Sequence, residues 1–304
     1  MGESMAFLKF SLLFNLAVTA IVQDPPSPHA MRSATGTVLD SPYIQYSYGK
    51  NSRITLYGSI DSFIATEFEK ITSRDRAVKE VFVDLHGGEI HSAIKIARIL
   101  RKNKMVLTVD GRCFSACANF LFMAAERKKV MKNSLIGIHD YAVLLTTENG
   151  KEWITGNEIA STLKNSRYTE EVKENKLLRH EIAEFYNELG IKEHLFAAFD
   201  NYVSNRKRAF DTQNIKSQES TDTCPSYDFW ILNKDQLESI GAHGIEEFWF
   251  PDGPAQIMEA TKETGIKNSK SLYFGTNENL KNLCLKSENS WFKRAWLTFI
   301  RSIN

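Results

Sequence analysis

The chain has 304 residues, 42% of them hydrophobic and 25% charged, which is the balance of a folded globular protein. Its 38 basic and 37 acidic residues nearly cancel, leaving a formal net charge of +1. That balance gives no ground for expecting nucleic acid or an acidic polymer as a partner.

The N-terminus departs from this average. Phe7–Val22 is an apolar run broken by Lys9, Ser11, Asn15 and Thr19. It is too short and interrupted for a membrane span, which needs about 20 apolar residues, and it fits the core of a secretory signal. Val18-Thr19-Ala20 offers small residues for cleavage, and Pro25, Pro26 and Pro28 mark the following stretch as a linker. We therefore expect a signal peptide over 1–20, a linker or N-terminal extension over 21–50, and a periplasmic or secreted protein. An uncleaved membrane anchor and a buried N-terminal helix are the alternatives.

From Arg53 to Asp140 strands and helices alternate. Ile54–Tyr57 is a short strand ending at Gly58, and 62–72 reads as a helix. Val81–Leu85 is a compact apolar strand closed by Gly87-Gly88. Ile90, Ala93, Ile94, Ala97 and Leu100 then fall at helical spacing and make one apolar face. Met105–Val109 is a further strand, ended by Asp110-Gly111, and Ser115–Ala125 is an apolar, alanine-rich buried helix. Ser134–Ile138 is the next strand. This order with short connections predicts parallel pairing through right-handed crossovers.

Glu158–Leu189 is highly charged and free of proline, predicting one long helix or two. Arg206–Pro225 is polar and reads as a loop. Tyr227–Leu232 is apolar, and Lys234–Ser239 is a short helix stopped by Gly241. In the tail, Trp291, Phe292, Trp296, Phe299 and Ile300 mix with Lys293, Arg294 and Arg301. Such a stretch suits a terminal helix docked on its own domain, or one lying on a membrane surface. The four cysteines are Cys113, Cys117, Cys224 and Cys284. They can pair in three ways, or stay as core thiols, and sequence does not choose. No CxxC or Cys/His cluster has zinc-ligand spacing, so no metal is expected.

The chemistry gathers around Gly111-Arg112-Cys113-Phe114-Ser115-Ala116-Cys117. A strand ends, the chain turns, and a buried helix begins at a serine. Serine there ordinarily caps the helix. A nucleophilic reading needs a base and an oxyanion site. His139, at the end of strand Leu135–Ile138, supplies the base candidate, because neighbouring parallel strands end side by side at the carboxyl edge of a sheet. Gly87-Gly88, between a strand and a helix, and Ala116 supply backbone N–H groups for an oxyanion hole.

In order and spacing these segments resemble the proteolytic-subunit family of Clp protease, within the Clp/crotonase fold. The resemblance runs through 54–61, through Val81–Gly88 (where that family ends its strand in Ser-Pro-Gly-Gly), through Gly111–Ala125 and through Ser134–His139. It resumes at Ile231–Gly241. Cys113 and Cys117 around Ser115 suit exported, periplasmic Clp-like proteins better than cytosolic ones.

The resemblance implies an α/β fold of repeated β-β-α units with parallel strands, an enlarged helical region and a C-terminal helix. It places a Clp protease-like domain at 51–245 and a C-terminal helical extension at 246–304. It further implies Ser115 as nucleophile, His139 as base, and Gly87, Gly88 and Ala116 as the oxyanion hole. The acid of a triad would fall near Asp228; Asp140, Glu184, Glu188, Asp200 and Asp222 are rivals, and a Ser-His dyad is an alternative. The implied function is a serine hydrolase, a peptidase taking a peptide or protein substrate without a cofactor. Homo-oligomerisation and membrane association are both left open. A non-catalytic scaffold of the same fold and a crotonase-like acyl-CoA enzyme are the competing readings.

Overall fold

A computed structural model of the chain describes residues 41–49, 52–139, 142–147, 150–155, 169–191, 227–276 and 279. The signal-peptide and linker expectations over 1–40, the loop at 206–225 and the aromatic tail at 291–300 lie outside these residues.

Local sequence signals set most of the elements. Strand β1 (Tyr43–Ser47) and strand β2 (Arg53–Ile60) form an antiparallel pair. Helix α1 (Ser62–Arg74) starts at Asp61, whose carboxylate accepts the Ile64 N–H at 2.8 Å, and it buries Ile64, Ala65, Phe68 and Thr72. Strand β3 (Glu80–Gly88) leads to helix α2 (Ile90–Lys102), which buries Ala93, Ile94, Ala97 and Leu100 as the periodicity predicts, with Ile90 packed partly buried beside them. Next come strand β4 (Val106–Phe114) and a helix of π pitch, α3 (Cys117–Phe122). Short strands β5 (Arg127–Val130) and β6 (Leu135–Ile138) follow. An antiparallel hairpin, β7 (Ala142–Thr147) with β8 (Gly150–Thr155), stands as a separate sheet, and helix α4 (Thr169–Leu189) comes after it. Strand β9 (Phe229–Ile231) precedes helix α5 (Lys234–Ser239), closed by a reciprocal Asn233–Gln236 capping box. Strand β10 (Ile245–Phe248), helix α6 (Pro254–Glu263) and strand β11 (Leu272–Tyr273) complete the described chain.

The main sheet runs in the order β1-β2-β3-β4-β6-β9-β11, with β5 and β10 branching from β4. Pairing is parallel along β2-β3-β4-β6, and antiparallel at β1-β2 and β6-β9. The architecture is therefore mixed α/β around a central, mostly parallel sheet. Helices α1 and α2 pack on this sheet, and one apolar core unites Ile64, Phe68, Val83, Leu107, Phe120 and Phe185. Arg98 of α2 reaches Glu188 of α4 at 2.6 Å and ties the long helix to the domain.

Two stretches differ from the sequence expectation. β1 lies within the expected linker 21–50, and β11 together with most of β10 lies within the expected helical extension 246–304. β1 joins the main sheet as an antiparallel neighbour of β2, the next strand in the chain, whereas β11 pairs with β9, a strand well before it in sequence.

The branch in β4 shapes the molecule. Its first half pairs with β5 up to Val109↔Val130, and its second half pairs with β6 from Arg112↔Leu135. Asp110-Gly111 was expected to end the strand. Instead the chain bulges there: β3–β4 pairing steps from Val83↔Val109 to Leu85↔Cys113. Polar side chains take up the amides that the bulge frees. The Gly111 N–H donates to Ser134 Oγ at 2.8 Å, and the Arg112 N–H donates to Asp84 Oδ1 at 2.9 Å. Arg112 Nε meets the same carboxylate oxygen at 3.0 Å, an ion pair buried from solvent at both ends. The continued strand carries the chain to Ser115 with the direction of β6 rather than β5.

Candidate active site

Ser115 sits where β4 turns into α3. Its N–H donates to Gly137 O at 3.0 Å, extending the β4–β6 ladder by one bond, and its carbonyl accepts from the Asn119 N–H at 2.8 Å, opening the helix. Its φ is +53°, the left-handed region that a side-chain-bearing residue rarely adopts. A capping serine has extended backbone, and its side-chain oxygen accepts from a backbone N–H of the first turn. Ser115 does neither: its backbone is left-handed, Ala116 occupies the cap position, and the helix start has no side-chain cap bond. The residue is partly exposed on an otherwise buried stretch. A strained serine on a sharp strand-to-helix turn is the arrangement that presents a hydroxyl for attack.

Two glycines form the wall opposite. A Cβ on Gly87 would lie 2.5 Å from Ser115 Cβ and 3.0 Å from its Oγ, so the bare backbone of β3 abuts the serine side chain. A Cβ on Gly88 would lie 2.2 Å from Ile60 O, against β2. Both have positive φ, +115° and +139°. The Gly87-Gly88 pair thus ends strand β3 rather than forming the strand-to-helix turn; the Glu89 N–H then closes on Ile60 O at 2.8 Å. The amide of Ala116 precedes Asn119, the donor that opens the helical ladder on Ser115 O, and belongs to the helix-start donors that have no intrahelical acceptor.

His139 follows β6 directly. Because Phe114 pairs with Gly137 in parallel register, Ser115 and His139 leave adjacent strands at the same edge. The ring of His139 stands edge-on to Phe229, with centroids 4.9 Å apart, and Phe229 also packs on Phe114 at 4.7 Å. The imidazole keeps slight solvent contact, yet protein surrounds it closely enough that burial pushes its pKa down to about 4; the charge of Asp228 opposes this more weakly. The ring is therefore neutral at pH 7, the protonation state a base requires. Among the described residues no hydrogen bond joins the Ser115 hydroxyl to the His139 ring.

Asp228 is exposed, and its N–H donates to Ser271 O at 2.7 Å. It acts on His139 through charge alone, with no hydrogen bond between them among the described residues. Of its rivals, Glu184 pairs with His180 at 3.1 Å and Glu188 with Arg98, both on the exposed side of α4. Asp140, Asp200 and Asp222 lie outside the described residues.

A disulfide joins Cys113 to Cys117 and so brackets Ser115. Of the pairings left open by the sequence, this one closes a loop around the turn itself; Cys224 and Cys284 lie outside the described residues. Sequence reasoning missed Asn119, whose side-chain Nδ2 donates to His139 O at 2.8 Å. The signal available was a lone amide in the otherwise apolar Cys117–Phe122. Among the described residues no group of His, Cys, Asp or Glu could hold a metal ion, and no helix is long and apolar enough to cross a membrane.

No protein-family model matches the sequence, and no curated protein matches it. Among solved structures it is similar to a variant of ClpP1 from Listeria monocytogenes, at 16% identity and a TM-score of 0.34 over 64% of this chain and 90% of that one. It is also similar to a variant of the 1510-N membrane-bound stomatin-specific protease, at 12% identity and a TM-score of 0.36 over 69% of this chain and 82% of the other. A probable enoyl-CoA hydratase/isomerase from Mycobacterium abscessus aligns at 9% identity and a TM-score of 0.27, over 32% of this chain and 49% of that one. The chain spans about half the length of this last protein, and likewise 55% of DspI from Pseudomonas aeruginosa. At these scores the likeness assigns no residue a role.

Proposed function

We propose that the protein is a serine hydrolase, a peptidase in which Ser115 is the nucleophile and His139 the base. The observation that carries this reading is the left-handed Ser115 at the β4–α3 junction, its hydroxyl against the bare backbone of Gly87. Ser115 Oγ attacks the substrate carbonyl carbon while neutral His139 takes its proton. Negative charge then gathers on the carbonyl oxygen, and the N–H groups of Gly88 and Ala116 receive it; one such donor is worth about 3–4 kcal/mol of barrier. His139 returns the proton to the leaving amine, and water hydrolyses the acyl-enzyme by the same steps reversed. Asp228 supports the imidazolium through its charge, which makes the core of the site a Ser-His dyad. The apolar run of the N-terminus and the Cys113–Cys117 disulfide both suit an oxidising compartment outside the cytoplasm.

A second reading is a non-catalytic scaffold of the same fold, favoured by the missing hydrogen bond between Ser115 and His139. A fluorophosphonate probe separates the two. It labels the folded protein at Ser115 if the site is hydrolytic, and Ser115→Ala abolishes the labelling. Folded wild-type protein that stays unlabelled, and leaves unfolded protein substrates uncut, excludes the hydrolase.

A further inference from the structure

We infer that Asn119 is a positioning residue that fixes the His139 segment against the Ser115 turn. The inference rests on the reading of Ser115 and His139 as the hydrolytic pair. Asn119 is 5% exposed and makes three hydrogen bonds, each to a different part of the site. Its N–H donates to Ser115 O at 2.8 Å. Its side-chain Nδ2 donates to His139 O at 2.8 Å. Its own carbonyl accepts from the Tyr186 hydroxyl at 3.2 Å. Tyr186 is buried on α4, with its ring stacked on Phe120 at 5.9 Å, so the far end of this chain of bonds is itself held by packing.

The acceptor explains why an amide is needed. His139 lies just past β6, whose final ladder pair is Ile138↔Trp230. Its carbonyl is the first backbone acceptor after the strand, and a carbonyl can only accept. The Asn119 side chain must therefore present Nδ2 to it, which settles the orientation of the amide. The same orientation leaves Asn119 Oδ1 buried with no protein partner. A buried acceptor without a partner is destabilising, so apolar residues would serve packing better here. All five neighbours in Cys117–Phe122 are apolar. The cost of the unmatched oxygen is repaid by the Nδ2 bond that holds His139 in place.

The test uses the full chain with Asn119→Leu, which keeps similar bulk and removes both the bond to His139 and the unmatched oxygen. Urea unfolding, fluorophosphonate labelling against pH, and the NMR titration of the His139 ring are read on the same samples. The expected result is a folded protein, at least as stable as wild type, that labels about 10- to 100-fold more slowly. Its His139 titration moves from about 4 towards the ordinary 6.5 as the freed segment admits water. Near-isosteric Asn119→Asp, which turns a carboxylate oxygen towards the His139 carbonyl, reproduces both changes and serves if the leucine variant does not fold. Wild-type labelling rates together with an unmoved His139 titration in a folded variant overturn the inference. If wild-type protein itself does not label, the hydrolytic reading falls alone, and the His139 titration still decides whether Asn119 holds that segment.

Discussion

Replacing Gly87 by alanine tests the packing of β3 on the serine turn. Two costs arise together. A φ of +115° is essentially closed to side-chain-bearing residues, and holding one there costs about 1–3 kcal/mol. The new methyl would stand 2.5 Å from Ser115 Cβ, about 1 Å inside the closest comfortable approach of two carbons. Overpacking of this kind costs about 1–3 kcal/mol, because the neighbour must move. The sum, about 2–6 kcal/mol, is a large part of the 5–15 kcal/mol that typically holds a domain folded. The group forced to move is the Ser115 side chain, so the site is displaced along with the stability. The control is Gly190→Ala. Gly190 also has positive φ, +71°, but nothing lies within 4 Å of its Cβ position, so it bears the conformational cost without the collision. Urea unfolding at fixed pH gives the two stabilities, and labelling rates on the folded fraction give the site. Gly87→Ala should lose more stability than Gly190→Ala and label far more slowly, whereas Gly190→Ala labels as wild type. Equal losses and equal labelling in the two variants would refute the close approach of β3 to Ser115.

His139 gives the folded state an acid sensitivity. Its folded pKa, about 4, lies below the ordinary 6.5, so between these values the unfolded chain binds more protons and stability rises with pH. Lowering the pH from 7 to 4 should cost about 3 kcal/mol at this ring, and His139→Asn should remove that part of the urea-measured pH dependence. A slope unchanged by the substitution would contradict the burial of the imidazole. The Cys113–Cys117 bridge should contribute about 2 kcal/mol through its small closed loop. The double variant Cys113→Ala/Cys117→Ala should lose that much in urea unfolding and should label Ser115 more slowly, since the loop encloses the turn. Full labelling in the double variant would mean that the left-handed turn holds without the bridge.

Many of the local elements, and the chain order of the candidate site residues, were legible in the sequence by itself. Helical spacing placed α2, a mixed polar and apolar stretch placed α1, a compact apolar run placed β3, and the Asn233–Gln236 cap begins α5 at the predicted Lys234. Strand ends followed by glycines, a serine and a histidine were enough to single out Gly87, Ser115 and His139, because chain order and local turn chemistry are written in neighbouring residues. What the tertiary structure decided depends on partners far apart in sequence. Asp84 and Ser134 stabilise the bulge that carries β4 from β5 to β6, and without them Asp110-Gly111 reads as a strand end. The entry of β11 into the sheet and the reach of Asn119 to the His139 carbonyl are settled likewise. Each is a contact made when packing brings separate segments together, and a one-dimensional pattern carries the capacity for such contacts but not the choice among them.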